Sequence, residues 1–461
     1  MKLYNTLTRR KDDFMPLVPG KVGIYTCGPT VYMYAHVGNL RAYVFADTLR
    51  RVLEYLGYEV RHVMNVTDVG HLTSDEDEGE DKLEKGARLE GKTPEQIARF
   101  YEQAFFADSA RLNIETPHVV CRATDHVPDM IELVRRIEAN GFTYRTSVGL
   151  IYDTARYPEY ALLSRLNLAE QQAGARTRVD PERRNPSDFA LWITNQPRHL
   201  MQWDSPWGRG FPGWHVECSA MSIKYLGERF DIHTGGIDHV PVHHTNERAQ
   251  NFAATGSEVV ARWMHNAFLV IGDARMGKSE GNLVTLSKLE ERGVAPAGFR
   301  YFCLTALYRM PLNFTAESLQ SAQNSLRGIV DFGRNAQVWP EQDASWTEPF
   351  RQEFRDAIAD DLNIPQALAA AWSLVREGNQ RQDRAAWSAI LDFDRVLGLG
   401  LERLAGAKSD VPDQVAELVA ARERARKAKD WAESDRLRQR IAEAGFLVED
   451  TPRGARVKPR P

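Results

Sequence analysis

Hydrophobic and polar positions follow two different periods along this chain, and the change from one to the other is clearest between Val22 and Asn65. Val22-Gly23-Ile24-Tyr25-Thr26 is a β-branched and aromatic run suited to a buried strand, and it empties into Cys27-Gly28-Pro29-Thr30 and then His36-Val37-Gly38-Asn39. From Arg41 the spacing turns helical: Phe45, Leu49, Val52, Leu53 and Leu56 share a face, and Gly57 stands where a C-cap belongs. Glu59 to Asn65 reads as a second strand. Strand, helix and strand of these lengths predict a right-handed crossover between parallel strands, with ligands bound beyond the strands' carboxyl ends. Cys27 to Asn39 lies there.

The same reading continues downstream. Pro94 to Leu112 predicts a helix with Ile97, Tyr101, Phe105 and Ala107 on one side, and helical and strand-like pieces alternate to about Ile151. Gln171 to Pro186, rich in Gly, Arg and Pro, reads as a mobile loop within an insertion. Order resumes with a predicted helix over Ser219 to Leu226, a strand over Phe230 to His233, the turn Thr234-Gly235-Gly236-Ile237-Asp238, and a helix opened by His243-His244-Thr245-Asn246-Glu247. Beyond Asn282 the pattern is helical: Phe299 to Met310, Ala316 to Phe332, and Glu353 to Glu377 with a break near Asn363-Ile364-Pro365. Gly406 to Pro412 reads as a linker, Asp413 and Asp430 as helix caps, and Gly445 as a helix end.

Composition narrows the class. With 461 residues, 43% hydrophobic and 26% charged, the chain has room for roughly three domains with cores of their own. No apolar run approaches the ~20 residues of a membrane span, and Met1 to Thr6 lacks the apolar core of a signal peptide. Four cysteines in so long a chain do not make a disulfide framework, so a cytoplasmic setting is expected. The net charge is −4, but Ala421 to Pro461 carries 12 Lys or Arg against 7 Asp or Glu. A basic tail on an acidic body fits a polyanionic partner, and equally a solvated helix face.

Three stretches carry candidate chemistry. His36 and Asn39, three apart at a helix N-terminus, would set an imidazole and an amide toward a phosphate; a plain capped loop is the alternative. His243 and Glu247 are four apart on one helical face, and with Cys27 and Cys218 they make a zinc-type donor set. Against this, the cysteines stand 191 residues apart with no CxxC spacing, so two buried thiols and a surface pair remain open. Arg275-Met276-Gly277-Lys278-Ser279, after the apolar Ala267 to Ile271, would close over a triphosphate or be a basic surface turn.

Taken in order, Cys27-Gly28-Pro29-Thr30-Val31-Tyr32 with His36-Val37-Gly38-Asn39, Asn65-Val66-Thr67-Asp68, Gly213 to Met221, Asp231-Ile232-His233, His243-His244 with Asn246-Glu247, and the Lys278-Ser279 loop resemble cysteinyl-tRNA synthetase, a class I aminoacyl-tRNA synthetase. Ala425 to Asp435 resembles that family's anticodon-recognition region. The resemblance implies an α/β protein: a Rossmann-type parallel-sheet catalytic domain in two halves (1–120 and 203–265), a connective insertion (121–202), a stem-contact region with the second nucleotide loop (266–315), a helical bundle (316–405) and a small anticodon-binding region (406–461). It implies one zinc per subunit on Cys27, Cys218, His243 and Glu247. ATP, brought with Mg²⁺, would meet His36, Asn39, Gly236, Asp238 and Lys278, with Ser279 beside it. L-cysteine would meet Thr30, Thr67, Trp214 and His233. tRNA(Cys) is the expected partner, and a monomer the expected state.

Physical chemistry explains why such an enzyme would use a metal. Packing alone separates near-isosteres such as cysteine and serine by about two orders of magnitude or less. A soft cation on the thiolate does better, with no editing domain. Because four protein ligands describe a closed site, Glu247 is expected to be the weak ligand, or the metal to become five-coordinate with cysteine bound. The chain departs from the family pattern at Arg275 and Gly277, at Asn39, Thr245 and Phe211, and in a longer loop over Asp68 to Lys82. Two other readings are a zinc-dependent ligase joining cysteine to an amino sugar, as in mycothiol synthesis, and a non-catalytic tRNA-binding paralogue.

Overall fold

The computed structural model describes residues 1–69, 83–84, 88, 91–165, 182–196, 199–271, 274–275, 283–407, 413–451 and 454–459. Within them lie two compact units, Met1–Glu402 and Arg403–Pro461. The loop readings over residues 70–82 and 171–181, the linker over 408–412, and Lys278 and Ser279 fall outside the described residues.

In the first unit an antiparallel pair, β1 (Lys2–Asn5) and β2 (Arg10–Asp13), precedes the central strand β3 (Lys21–Thr26). Helix α1 (Val37–Tyr55) and strand β4 (Glu59–Val66) complete the predicted crossover, with β3 and β4 parallel from Lys21↔Glu59 to Thr26↔Met64. The helix begins four residues before its apolar stripe because His36 caps it: its Nδ1 accepts the Asn39 N–H at 3.2 Å, and Asn39 Oδ1 accepts the His36 N–H at 3.3 Å. Gly57 follows the last turn at φ +93°, the left-handed conformation that glycine adopts without strain. α2 (Pro94–Arg111), capped by Thr93, leads to β5 (Val119–Arg122), parallel to β4.

α3 (Val127–Ala139) follows, and then β6 (Thr143–Arg145), β7 (Gly149–Tyr152), β8 (Phe189–Ile193) and β9 (Phe211–Pro212) form an antiparallel sheet of their own. The main sheet resumes after α4 (Trp214–Leu226) with β10 (Phe230–Gly236), α5 (His243–Thr255) and β11 (Val260–Asn266). Its order is β11-β10-β3-β4-β5, all parallel, so the first strand of the crossover is the centre of the sheet. α4 starts five residues earlier than its pattern predicts, at Trp214 behind Gly213, which puts Cys218 inside the helix.

β12 (Leu269–Ile271), β13 (Ala274–Arg275) and, beyond α6 (Pro296–Leu304), β14 (Leu312–Asn313) make a small third sheet. The bundle consists of α7 (Ala316–Ala336), α8 (Glu348–Ala359), α9 (Ile364–Arg381) and α10 (Ala385–Leu397). The break predicted near Asn363 is real: Asp361 and Leu362 take positive φ, and Asn363 caps α9. A buried polar node ties the bundle to the signature helix α1. Arg300 Nη2 lies 2.5 Å from Asp47 Oδ2, both residues sealed from solvent, and its Nε donates to the Leu397 carbonyl at 2.7 Å.

The second unit contains α11 (Asp413–Lys427), α12 (Trp431–Glu443) and an antiparallel hairpin, β15 (Phe446–Thr451) with β16 (Gly454–Pro459). Asp430 caps α12 as predicted, accepting the Glu433 N–H at 3.0 Å. The hairpin has no counterpart in the sequence reading, because its strands mix charges with short apolar runs; Val448 packs with Val415 and Ile441 beneath it. No helix among the described residues is long and apolar enough to cross a membrane.

Candidate metal and nucleotide site

The site is assembled where β3 and β10, neighbours in the sheet, come to their carboxyl ends. The Cys27 N–H donates to the Thr234 carbonyl at 3.2 Å, which carries the pairing one residue past β3 and fixes the thiol at the sheet edge. Cys218 comes from α4, and His243 and Glu247 from the first turns of α5. One donor atom from each of these four buried residues lies within 4.8 Å of the others. The Cys27 and Cys218 sulfurs are 3.9 Å apart, and His243 Nε2 is 3.0 Å from Glu247 Oε1.

Six of the chain's 12 histidines, His215, His233, His239, His243, His244 and His265, crowd this spot. A second donor set, Cys27, His233, His244 and Glu247, therefore satisfies the same distance criterion. Hydrogen bonding separates the two sets. Thr6 Oγ1, His265, His244 and Cys27 form a line of contacts at 2.7, 2.7 and 3.2 Å. Burial lowers the pKa of His244 and His265 well below the usual range, so both are neutral. Each ring then has one N–H, so the line is satisfied from Thr6 to the Cys27 sulfur and holds His244 Nε2 against the thiol. His233 Nε2 lies 2.8 Å from Glu247 Oε2, and its Nδ1, though buried, has no partner. A metal-bound imidazole normally hands its second nitrogen to another group. His243 does this, with its Nδ1 3.0 Å from His215 Nδ1. The geometry favours Cys27, Cys218, His243 and Glu247, oriented from behind by His233, His244 and His215.

The chemistry of this donor set suits a divalent cation. Burial opposes charge on His243, yet Glu247 and Cys218 draw its pKa up to about 10. Burial pushes the Cys218 thiol up, but the hydrogen bond from Cys27 and the charge of His243 bring it down to about 6. Burial and Cys218 together hold Cys27 well above the usual thiol range, so of the pair Cys218 is the thiolate. Where a thiolate and a carboxylate draw a proton onto an imidazole, a dication is favoured in the proton's place. Glu217, next in the chain and fully buried, is raised well above the carboxylate range by burial and by Cys218; its Oε2 accepts from Thr67 at 2.9 Å.

Above the cluster opens a cleft of 440 Å³, lined in part by Cys27, Thr30, His36, Asn39, Trp214, Gly236, Asp238 and His243. The structure thus brings most of the sequence-derived candidates to one cavity. Thr67 and His233 stand behind it, wholly buried and bonded to Glu217 and Glu247. Gly235 is a position of enforced close approach: a Cβ there would sit 2.7 Å from both His239 Nδ1 and His244 Cε1. At the rim, His36 Nδ1 is occupied by the Asn39 N–H, and burial lowers the pKa of this imidazole, so the neutral ring turns an Nε2–H toward the cleft. Backbone bonds join this helix start to the chain beyond residue 282, Val37 N–H donating to the Val284 carbonyl at 2.8 Å. Thr245 donates to the Val240 carbonyl at 2.7 Å, which satisfies that departure locally.

Sequence reasoning missed His215, His239, His244, His265, Thr6 and Glu217 as parts of the site. The adjacent pair His243-His244 was the one available signal, since lone histidines scattered over 50 residues carry none.

Residues 13–324 match the family model for the catalytic domain of class I (C) tRNA synthetases, residues 353–402 the DALR domain, and residues 408–457 the anticodon binding domain of cysteinyl-tRNA ligase. The chain is 49% identical to cysteine–tRNA ligase 1 of Burkholderia lata, across 99% of this chain and 96% of that protein. It is 43% identical to the cysteine–tRNA ligase of Treponema denticola, across 98% of each. Among solved structures it resembles Mycobacterium tuberculosis methionyl-tRNA synthetase in complex with methionyl-adenylate, with a TM-score of 0.57 and 17% identity over 87% of this chain and 94% of that one. It also resembles a ternary complex of Agrobacterium radiobacter K84 LeuRS, with a TM-score of 0.59 and 12% identity over 86% of each. At these identities the structural likeness is one of fold.

Proposed function

The chain belongs to the cysteinyl-tRNA synthetase family, class I enzymes that join cysteine to tRNA, and from that premise we propose that it works through a cysteinyl-adenylate, with zinc selecting the amino acid. What carries this reading is the meeting of Cys27, Cys218, His243 and Glu247 at the floor of a cleft whose rim is the capped N-terminus of α1. Zinc held there would bind the substrate sulfur and lower its pKa, so that cysteine enters as thiolate and serine does not. His233 shares the charge of Glu247, which makes that carboxylate the weakest of the four donors.

The remaining roles fall to the chain itself. Thr30 and Trp214 flank the amino acid beside His243, the Trp214 ring lying 4.4 Å from the imidazole. Thr67 and His233 position the floor from behind through Glu217 and Glu247. The substrate carboxylate is already ionised and needs no enzymic base to attack the α-phosphorus of ATP; pyrophosphate departs. His36 Nε2–H, Asn39 and the positive N-terminal end of α1 meet the phosphates, Gly236 and Asp238 the adenosine, and Lys278 with Ser279 close over the leaving group. A ribose hydroxyl at the 3′ end of tRNA then attacks the adenylate carbonyl and AMP leaves.

Aminoacylation of tRNA with radiolabelled cysteine, run beside ATP–pyrophosphate exchange, tests the reading. Charging with exchange supports it; exchange without charging points to a cysteine ligase with another acceptor, and neither activity to a binding protein. In the same assays Lys278→Ala should slow exchange by about 10²- to 10³-fold, the cost of removing one charge-stabilising group, with cysteine affinity little changed. Undiminished exchange in that variant would remove Lys278 from its role.

A further inference from the structure

The cleft has a second lip, made of rings that the roles above leave unused. Tyr34, before α1, and Phe100 and Tyr101, on α2, form an edge-to-face trio: centroids 5.1 Å apart for Tyr34 and Tyr101, 6.0 Å for Tyr34 and Phe100, and 5.1 Å for Phe100 and Tyr101. Tyr34 and Tyr101 line the cleft. Tyr34 is 46% exposed and Phe100 41% exposed, and Lys92 Nζ stands 4.8 Å over the Phe100 ring. Tyr34 and Phe100 thus present exposed aromatic surface at the cleft edge, and on Phe100 a cation lies over the ring.

We propose that this lip is the stacking platform for the unpaired bases at the 3′ end of tRNA. It rests on the reading that cysteine leaves the adenylate inside this cleft, which requires the last, unpaired nucleotides of the acceptor to come in over its edge. The sheet order separates the two nucleotides. Gly236 and Asp238 leave β10 on one flank of β3, whereas the chain reaches α2 from β4 on the opposite flank. Phe100 and Tyr101 therefore lie on the opposite flank from the residues given to the adenosine, and Tyr34 stands between them at the central strand's exit. Unpaired bases have lost their stacking neighbours, and an aromatic face restores stacking whatever the base, while a cation beside it meets the phosphodiester charge. Two exposed rings, one of them with a lysine over its face, match that ligand.

Phe100→Leu and Tyr34→Leu keep apolar bulk and remove the π-face. Pyrophosphate exchange should stay within about two-fold of the unsubstituted enzyme, while KM for tRNA in aminoacylation rises about ten-fold, and further in the double variant. Phe100→Tyr should restore it. A tRNA trimmed of its unpaired 3′ nucleotides should bind the unsubstituted and doubly substituted enzymes equally. An unchanged KM in the double variant overturns the proposal. So does an equal loss of exchange and charging, which would tie the rings to adenylate formation, or weaker binding of trimmed tRNA, which would tie them to the duplex. If the unsubstituted enzyme makes adenylate but charges no tRNA, the transfer reading itself falls.

Discussion

Replacing Cys218 by serine is expected to yield a folded protein that holds no stoichiometric zinc and activates cysteine roughly 10³-fold more slowly, or worse. Cys218 is 2% exposed and supplies one of two soft donors. A serine oxygen in its place stays protonated and hard, leaving one thiolate, one imidazole and a carboxylate that His233 already holds. His243→Ala should behave likewise. On the proposed ligand set His244→Ala should keep its zinc, because there His244 only packs against the Cys27 sulfur at 3.2 Å. Cys121→Ser and Cys303→Ser, buried thiols outside both donor sets, serve as controls. Elemental analysis of each variant, with the thiolate-to-cobalt absorption of cobalt-loaded protein, reads the result. Full zinc occupancy in Cys218→Ser would remove that residue from the metal site, and loss of zinc from His244→Ala with retention in His243→Ala would assign the competing set.

The second large effect concerns stability. Arg300→Met should lower unfolding free energy by about 3–5 kcal/mol, the usual result of removing one partner from a buried ion pair. Asp47 would keep Arg51, whose Nε lies 2.8 Å from the same Oδ2, and the Asn113 carbonyl would keep Arg51 Nη2 at 2.8 Å, but the carbonyls of Leu397 and Leu112 would lose the Arg300 donor. Denaturation midpoints in urea measure the loss. The pH dependence has a definite sign. Burial would raise the Asp47 pKa, but Arg300 and Arg51 outweigh it and hold the carboxyl below its ordinary range. A carboxyl depressed in the folded state stabilises fully above its unfolded pKa of about 3.9, and the contribution disappears as pH falls through the lower folded value. Asp47→Asn should thus be clearly weaker than the unsubstituted protein at neutral pH and converge with it in strong acid. A constant difference across that range would show that Asp47 acts through packing alone.

This node explains why α1 can serve as a rigid mount. Its N-terminus presents His36 to the cleft, and its middle is bolted by Asp47 and Arg51 to α6 and to the end of α10. A hydrophobic stripe predicts that such a helix has a buried face. It does not announce that Asp47, on a helix of mixed composition, is sealed against an arginine 253 residues away.

What the sequence determined by itself is local: the strand-helix-strand unit read from Val22 to Asn65, the cap at Asp430, the break before Ile364 and the polar exits of the strands that hold Cys27 and Gly236. Periodicity, capping and turn chemistry act between residues a few positions apart, so the order of residues records them directly. Tertiary structure alone decided that β10 lies beside β3, and hence that donors 191 and more residues apart meet, that His265 and Thr6 stand in line behind His244, and that short charged strands at the C-terminus close into a hairpin. Those contacts depend on strand order and on which faces are buried together, and interactions of that range leave no period in the chain to be read.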